Sequence, residues 1–547
     1  MLYNVYSNEH DTINASGSCI DFNEPPDRAA FFMLKTNNTT LTLEIDKPLQ
    51  EKCGILGVFN TRAVANVPLA FAAAGGVQHR GQQGAGIVLR TAAGLKRQVG
   101  NGLLQEVFPT KKINQLNKPH KWLMVHCRYG TYGGYDKRNL QPCLVTANDG
   151  TEIAIVHNGE FVATDEIRKQ IQVKLPASIS DTYLFAYLFA RSMGSSWDEK
   201  ITKTVAQVHG AYSLIIGVNN SLYVCRDRFG LRPLVIGKLR SGWIVASETH
   251  ALDKVGAALV RTVHRGEIIR IDSSGLTVVQ KGMETKGHFC DFEWAYFSRP
   301  DSMLPTNESA EQHKPNGDWL SVGMFRARCG EQLASESPIK NATFAVGVPD
   351  SGIAVTASYA SILGIPYQQA IIRDHYDRNG NQRLFMRDDE RRKIKKKVLG
   401  KLSLIPDPRI WKDAIIVIGD DSIVRGNVSA EITKALFSLG AREVHWIIGF
   451  PPVQHHCPLG VSIRMESELI AAKFKGDPEK IAKALGATSV RYISHKGFIK
   501  ARLLTGKIEI PEDEKEIFLV NGGCGGCITG NYPVTKTGQI HKHAVTN

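Results

Sequence analysis

The 547-residue sequence predicts a mixed α/β and α+β fold made of two structurally different parts. From Cys53 to about Asp253, short β-branched and apolar runs broken by Gly and Asn predict many strands and few helices. From about Asp318, predicted helices alternate with predicted strands, which is typical of a parallel sheet covered by helices. The length allows two to four domains at roughly 150 residues each.

The individual elements follow from the local patterns. The strands predicted in the first part are Ile55–Phe59, Leu123–His126, Ile153–Val156, Ser213–Val218, Ser221–Cys225 and Trp243–Ala246. One helix is predicted over Ser180–Arg191, where Ser180 can cap the first turn. The strand–helix pairs predicted in the second part are Thr343–Val348 with Ala354–Leu363, and Ala414–Ile418 with Val428–Leu439. We place the boundary between the parts in the polar stretch Pro305–Gly317.

The composition excludes several classes of protein. Apolar residues make up 43% and charged residues 22%, close to the averages for soluble globular chains. No apolar run approaches the roughly 18 residues that span a bilayer, so we expect no membrane association. The net charge of +14 suits anionic ligands such as phosphates or nucleic acid. Ten cysteines are too few for a disulfide scaffold, which favours a reduced, cytoplasmic location.

Residues 1–52 form a predicted leader. They carry eight acidic and four basic residues, a net charge of −4, which leaves +18 for the remainder. The leader lacks the basic start and apolar core of a secretory signal, and its acids argue against an organelle transit peptide.

Cys53 follows the leader directly and opens the buried-strand pattern Gly54–Val58. A cysteine in such a place is most often a core thiol. However, polar strings recur at predicted strand ends or turns: His79–Gln82, Arg128–Thr131, His157–Glu160 and Ser180–Thr182. Cys53 provides a thiol that can attack an amide. The strings provide an Asn side chain and a Gly N–H that can hold an oxyanion, and an Arg and an Asp that can bind an amino acid.

No general base is tied to Cys53 by local spacing. Cleavage of the Lys52–Cys53 bond would give the cysteine an α-amino group with a pKa of about 8, which suits proton transfer. The sequence therefore predicts an N-terminal nucleophile that carries its own base, although it does not show how the leader is removed.

Residues 53 to about 547 resemble the glutamine phosphoribosylpyrophosphate amidotransferases, or amidophosphoribosyltransferases, in order through both parts. The strings that carry the resemblance in the first part are CGI, HRGQ, RYGT, HNG, SDT, GAYSL, RDRFGLRPL and ASETHALD. The resemblance implies an N-terminal-nucleophile glutaminase domain of four αββα layers over residues 53–304. It implies that Cys53 is the nucleophile, that Asn158 and Gly159 form the oxyanion hole, and that Arg128 and Asp181 bind glutamine.

The second part contains a strand, Ala414–Ile418, that is followed by the loop Gly419–Asn427 and a helix. Adjacent acids at the end of a strand suit ribose hydroxyls or Mg²⁺, and a helix N-terminus attracts phosphate. The string DDSIVRG resembles the motif of type I phosphoribosyltransferases, which implies such a domain over residues 305–500. The residues implied to bind phosphoribosylpyrophosphate are Asp420, Asp421, Ser422, Arg425, Gly426, Asn427 and Arg373, and those implied to bind Mg²⁺ are Ser351, Asp420 and Asp421.

A basic run, Arg387–Lys401, is typical of a solvated helix face, a phosphate-attracting loop or a nucleic-acid patch. The resemblance favours the second of these, a mobile loop from Arg373 that closes over pyrophosphate.

Cys524 and Cys527 form a Cys-x-x-Cys pair near the C-terminus, for which zinc is the first hypothesis on spacing alone. The iron–sulfur branch of the family implies that Cys290, Cys457, Cys524 and Cys527 hold a 4Fe-4S cluster. Such a cluster would be structural and would tie the tail, residues 501–547, to the second part. A zinc site at His455–Cys457 is the alternative.

The implied reaction converts glutamine, phosphoribosylpyrophosphate and water into 5-phosphoribosylamine, glutamate and pyrophosphate, the entry step of purine synthesis. The resemblance also implies a homotetramer inhibited by purine nucleotides. Departures from the family pattern are Gln83, Gly130, His375, Asn427 and Val428. The two changes in the phosphate loop, Asn427 and Val428, keep open a divergent nucleotide-binding, cluster-bearing paralogue without amidotransferase activity. An amidotransferase making glucosamine 6-phosphate is disfavoured by DDSIVRG, and nucleic acid is not expected as a partner.

Overall fold

The computed structural model describes residues 53–129, 137–171, 173–283, 287–306, 319–373, 402–461, 463, 465–503 and 522–541. The predicted leader, the loop after Arg373 and its basic run lie outside these residues. Within them, no helix has the length and apolar character needed to span a membrane.

Two antiparallel sheets form the first part. Their strands are β1 (Gly54–Val64), β2 (Gly84–Thr91), β3 (Gly94–Asn101), β4 (His120–Arg128), β5 (Cys143–Thr146), β6 (Glu152–Val162), β7 (His209–Val218), β8 (Ser221–Arg226), β9 (Val235–Leu239), β10 (Gly242–Ala246), β11 (Ala258–Thr262), β12 (Ile268–Asp272) and β13 (Gly275–Gln280). One sheet has the order β11-β9-β10-β1-β4-β2-β3 and the other β13-β12-β8-β7-β6-β5.

Helices cover the outer faces of this pair of sheets. They are α1 (Val67–Gly75), α2 (Leu104–Val107), α3 (Thr110–Leu116), α4 (Thr164–Ile171), α5 (Asp181–Arg191), α6 (Trp197–Val205) and α7 (His250–Asp253). The alternation of β1 sends Leu56 into the core beneath α1 and Ile55 into the core between the sheets, where Val156 of β6 also lies. Ile155 faces the other way, against Phe185 of α5. The predicted αββα arrangement is therefore confirmed.

The second part is built on a parallel sheet. The strands that follow β13 along the chain, of which β14 precedes the predicted boundary and β15 reaches it, are β14 (Phe289–Cys290), β15 (Met303–Pro305), β16 (Trp319–Ser321), β17 (Phe344–Gly347), β18 (Ile371–Arg373), β19 (Leu402–Leu404), β20 (Ile415–Asp420), β21 (Glu443–Ile448), β22 (Ser489–Tyr492) and β23 (Gly523–Cys524). Strands β17, β20, β21 and β22 lie side by side in that order, all parallel. Val417 packs on one face of this sheet and Ile416 and Ile418 on the other, as expected for a sheet buried on both sides.

The helices of the second part are α8 (Val322–Glu336), α9 (Gly352–Leu363), α10 (Pro408–Trp411), α11 (Asn427–Ser438), α12 (Ile470–Lys473), α13 (Pro478–Leu485), α14 (His495–Arg502) and α15 (Gly526–Thr529). A π-helix spans Glu293–Phe297, and 3₁₀ turns span Gln78–Arg80, Lys137–Asn139 and Glu466–Glu468. The predicted strand–helix pairs correspond to β17 with α9 and β20 with α11.

One local prediction was wrong. His157–Glu160 does not form a strand end or turn but lies inside β6, where Gly159 pairs with Tyr212 of β7. Gly159 has φ +149°, and a Cβ there would lie 1.8 Å from the carbonyl oxygen of Ala211. Glycine therefore lets an irregular backbone remain within a continuous strand.

Candidate active sites and thiol cluster

Cys53 lies immediately before β1 and next to the end of β4. Gly54 pairs with Cys127, so the antiparallel register brings Arg128 beside Cys53. The thiol donates a long hydrogen bond of 3.7 Å to the carbonyl oxygen of Tyr129. Burial raises the pKa of the Cys53 thiol above its usual value, although the Tyr129 backbone and the charge of Arg128 act in the opposite direction. The thiol is therefore protonated at neutral pH and needs a base to become a nucleophile.

Asn158 is the buried amide of this site. It is fully buried in β6, and neither its Nδ2 nor its Oδ1 has a hydrogen-bond partner among the described residues. Leaving a buried polar group unpaired costs about 1–3 kcal/mol. At the neighbouring Gly159 a Cβ would meet the Ala211 carbonyl oxygen at 1.8 Å, so only glycine fits beside Asn158. An unpaired amide donor beside such a backbone is what an oxyanion-binding site requires.

Arg128 and Asp181 bring opposite charges to the thiol. Both are largely buried, and both influence the pKa of Cys53, Arg128 lowering it and Asp181 raising it. Asp181 begins α5, where its carboxylate accepts hydrogen bonds from the backbone N–H groups of Phe161 at 2.9 Å and Thr182 at 2.8 Å. A fixed carboxylate and a fixed guanidinium near one thiol can orient an amino acid through its ammonium and carboxylate groups.

The two histidines of the polar strings have structural partners. His79 Nε2 lies 2.9 Å from Glu248 Oε1, and His157 Nδ1 lies 3.0 Å from Thr182 Oγ1. Burial lowers the pKa of His157. A third histidine, His126, was not predicted from the sequence; it is a buried residue of β4, and burial lowers its pKa to about 3. The alternation of β4 could have indicated its burial, because His126 follows Trp122 and Met124 on the strand face that lies between the sheets.

A buried ionic network, which was not predicted from the sequence, lies behind Cys53. Arg80 lies 2.6 Å from Glu248 and 2.7 Å from Glu293, and Arg232 lies 3.3 Å from Glu293, with side-chain exposures of 0–1%. Arg80 Nε also donates to the backbone carbonyl of Cys53 at 3.4 Å. Burial alone would raise the pKa of Glu248, but His79 and Arg80 outweigh it, and the net effect lowers that pKa. Glu248 is thus held as a counter-ion of Arg80, and Glu293 lies between the two arginines.

The acid turn follows β20. Asp420 ends the strand, and Asp421 accepts hydrogen bonds from Ser422 Oγ at 2.6 Å and from the Ser351 side chain. Burial raises the pKa of both carboxyls, and for Asp420 the charge of Asp421 adds to the rise. A Cβ on Gly352 would lie 2.3 Å from the Gly419 carbonyl oxygen, so the start of α9 packs directly on this turn. The structure therefore brings Ser351 and both acids together as oxygen ligands of the kind that Mg²⁺ prefers.

The loop after the acid turn leads into α11. Gly426 has φ +84° and caps the helix, which starts at Asn427, so the first backbone N–H groups of α11 lie at the end of this loop. Arg425 forms an ion pair with Glu468. Arg373 forms an exposed ion pair with Asp350 at 2.6 Å, next to Ser351.

Four cysteines, called the thiol cluster below, meet at the junction of the two parts: Cys290, Cys457, Cys524 and Cys527. Cys290 and Cys524 are register partners in the β14–β23 pairing. The N–H groups of Gln454 and His455 donate to the carbonyl oxygen of Cys527 at 2.9 and 3.0 Å, which places it beside the Cys457 segment. All four thiols are free. Burial raises the pKa of Cys527, and the charges of the other three cysteines raise it further.

Across the described parts of the chain, no group of three or more His, Cys, Asp or Glu residues is placed to hold a metal ion, and this applies to the thiol cluster as well as to the alternative zinc site at His455–Cys457. Four unbridged cysteines, three of them buried and Cys457 half-buried, are the ligand type that a 4Fe-4S cluster takes.

Comparison with known proteins agrees with this architecture. A family model described as a glutamine amidotransferase domain matches residues 134–254. The amidophosphoribosyltransferase of Bacillus subtilis (strain 168) is 33% identical over 489 residues, which cover 89% of this chain and 95% of that protein. The solved structure of glutamine phosphoribosylpyrophosphate amidotransferase from B. subtilis, complexed with ADP and GMP, is similar with a TM-score of 0.74 at 31% identity, covering 90% of this chain and 98% of that chain. A structure described as the allosteric regulatory enzyme of purine biosynthesis has a TM-score of 0.75 at the same identity and coverages.

Proposed function

Because the chain belongs to the amidophosphoribosyltransferase family, we propose that Cys53 releases ammonia from glutamine and that the acid turn and its loop bind the phosphoribosylpyrophosphate that this ammonia aminates. The protein is an enzyme with glutaminase and phosphoribosyltransferase activities and catalyses the first step of purine synthesis. Its reaction converts glutamine, phosphoribosylpyrophosphate and water into 5-phosphoribosylamine, glutamate and pyrophosphate.

The observation that carries the glutaminase proposal is the unpaired, buried amide of Asn158. Once the Lys52–Cys53 bond is cut, the new α-amino group takes the thiol proton and the sulfur attacks the glutamine amide carbon. The oxyanion accepts hydrogen bonds from Asn158 Nδ2 and the Gly159 N–H. The proton passes to the leaving ammonia, and water then hydrolyses the thioester to glutamate. Arg128 and Asp181 hold the amino-acid end of the substrate throughout.

The phosphoribosyl site is proposed from the acid turn. Ser351, Asp420 and Asp421 would hold Mg²⁺, which neutralises charge on the departing pyrophosphate. Ser422, Gly426 and Asn427 place the N-terminus of α11 where it can bind the ribose 5-phosphate. Arg425 and Arg373 would exchange their present carboxylate partners for phosphate oxygens. Ammonia attacks C1 of the ribose, and the C1–pyrophosphate bond breaks.

We further propose that Cys290, Cys457, Cys524 and Cys527 hold a 4Fe-4S cluster with a structural role. The support is the convergence of four free cysteines from three segments of the chain, three of them buried and Cys457 half-buried. Since the reaction has no redox step, the cluster would act as a covalent tie. The proposal extends to a cytoplasmic homotetramer and to inhibition by purine nucleotides; the ADP and GMP bound to the B. subtilis protein support the inhibition.

Replacement of the nucleophile tests this function. The mature Cys53→Ala enzyme should lose glutamine-dependent product formation but retain synthesis from ammonium salts, because the acid turn is untouched. Cys225→Ala, at a buried thiol of β8, is the matched control and should retain both activities. Loss of both activities in Cys53→Ala would assign Cys53 a structural role. Nucleotide binding without either activity in the wild type would favour the divergent paralogue.

The mass of the native protein tests the base. An active enzyme should begin at Cys53. An active enzyme that retains residues 1–52 would refute the N-terminal-nucleophile mechanism.

A further inference from the structure

We propose that the thiol cluster positions the glutaminase nucleophile through a buried relay of Arg232, Glu293 and Arg80. The inference rests on the proposed role of Cys53. It assigns Arg80, Glu293 and Arg232 as positioning residues, which act on glutamine hydrolysis without touching the substrate.

Arg232 forms the cluster end of the relay. Its guanidinium donates to the carbonyl oxygen of Leu459 at 2.8 Å, two residues beyond Cys457, and hydrogen-bonds the Cys290 side chain. The N–H of Cys290 in turn donates to the carbonyl oxygen of Leu231 at 3.3 Å. Arg232 is therefore held by the segments that supply two of the four cysteines.

Glu293 forms the middle of the relay. It opens the π-helix three residues after Cys290 and is fully buried. Its two carboxylate oxygens accept from the Nη groups of Arg80 at 2.7 and 3.0 Å, and Oε1 also accepts from Arg232 at 3.3 Å. Removal of one buried ion would leave its partners uncompensated, so the three side chains are constrained as a unit.

Arg80 forms the nucleophile end. Its Nε donates to the carbonyl oxygen of Cys53, while Glu248 holds its other edge. In an N-terminal nucleophile, the base and the thiol belong to the same residue. Fixing that residue's carbonyl therefore fixes both reacting groups, and a misplacement of about 1 Å can cost about a hundredfold in rate.

The segment after Cys527 supports the oxyanion strand independently. Val534 packs in one core with Val162 and Ala211 of β6 and β7. The N–H of Ala163 donates to the carbonyl oxygen of Lys536 at 3.1 Å. The tail that the thiol cluster anchors thus contacts the first part of the chain, close to Gly159, in addition to the second part.

The test uses the mature, iron-loaded enzyme and the variant Arg232→Met. With iron content equal to wild type, the glutaminase kcat should fall about tenfold to a hundredfold, while KM for glutamine and the ammonia-dependent rate stay near wild type. Cys53 should be alkylated faster by iodoacetamide, as measured by mass spectrometry of its peptide. Arg232→Lys, which keeps the charge, should restore part of kcat.

Arg502→Met is the matched control. Arg502 is equally buried and pairs with Asp291 at 3.0 Å, directly beside Cys290. With iron retained, it should leave kcat and Cys53 alkylation near wild type. A wild-type kcat in iron-loaded Arg232→Met would overturn the inference.

If Arg232→Met does not retain iron, Glu293→Gln decides, because it preserves shape and does not contact Leu459. An unchanged glutaminase kcat in Glu293→Gln would overturn the relay. Failure of the proposed function itself is distinguishable, because the wild type would then show no Cys53-dependent glutaminase at all.

Discussion

The unpaired amide of Asn158 allows function and stability to be separated in one variant, Asn158→Ala. Removing one oxyanion donor typically lowers kcat by about 10²–10³, or about 2.7–4 kcal/mol of transition-state stabilisation. In most buried sites the free energy of unfolding would fall as well. Here the folded state already carries an unpaired carboxamide, and its removal relieves about 1–3 kcal/mol, which offsets the packing lost on truncation. We expect glutaminase kcat to collapse with little change in unfolding free energy.

Asn60→Ala provides the comparison. Asn60 is also fully buried, but its amide donates to the carbonyl oxygen of His120 at 3.3 Å and accepts from Asn66 at 2.9 Å. Its truncation leaves partners unpaired and should cost about 1–3 kcal/mol, with kcat preserved. Urea unfolding and initial-rate glutaminase assays measure both quantities. Destabilisation of Asn158→Ala as large as that of Asn60→Ala, or a wild-type kcat in Asn158→Ala, would contradict an oxyanion role for the unpaired amide.

Three further predictions concern the other centres. Asp421→Asn should abolish ammonia-dependent synthesis but leave basal glutaminase activity measurable. Because burial raises the pKa of Asp420 and Asp421, the wild-type KM for magnesium phosphoribosylpyrophosphate should begin to rise on acidification at a pH above the usual titration range of carboxyl groups. A KM that does not change with pH would contradict this. Cys527→Ser should lower the iron content and the visible absorbance of the purified protein; full iron would remove Cys527 from the ligand set. The pKa of His126 is lowered to about 3 in the folded state, whereas it is about 6.5 in the unfolded state. The contribution of His126 to the free energy of unfolding is therefore complete above pH 6.5 or so and falls by about 1.4 kcal/mol per pH unit on acidification towards pH 3, because only the unfolded state takes up the proton. Thermal melts of His126→Gln should show a weaker acid dependence than wild type, and identical dependences would refute the assignment.

Much of the fold could be predicted because local chemistry determines it. The alternation of Ile55 and Leu56 between two cores is visible in the sequence, and Ser180 caps α5 as its residue type suggests, accepting from the Tyr183 N–H at 3.4 Å. The acid turn could also be predicted from the sequence, because paired acids directly after a buried strand are typical of the carboxyl edge of a parallel sheet.

Other features depend on contacts between distant segments. Gly159 looks like a turn residue in sequence, and only its pairing with Tyr212 keeps it within β6. Arg80, Glu248 and Glu293 are residue types that usually lie at the surface, and their separations of 168 and 213 residues along the chain hide their pairing. Hydrophobic periodicity predicts strands and helices, but it cannot predict which distant residue pairs with a buried charge in the folded chain.

The same contacts explain why the two parts depend on each other. Arg326, buried in α8, donates to the carbonyl oxygens of Trp294 and Ser298 at 3.2 and 2.8 Å and interacts electrostatically with Asp421. The π-helix segment therefore has two contacts. The side chain of Glu293 belongs to the relay to Cys53, and the backbone carbonyls of Trp294 and Ser298 bind Arg326 near the acid turn. Separating the parts would leave Arg326 without these carbonyls and Arg232 without Leu459, each a buried cation with fewer acceptors. The buried charges thus make each part a structural requirement of the other, independently of the ammonia that joins their reactions.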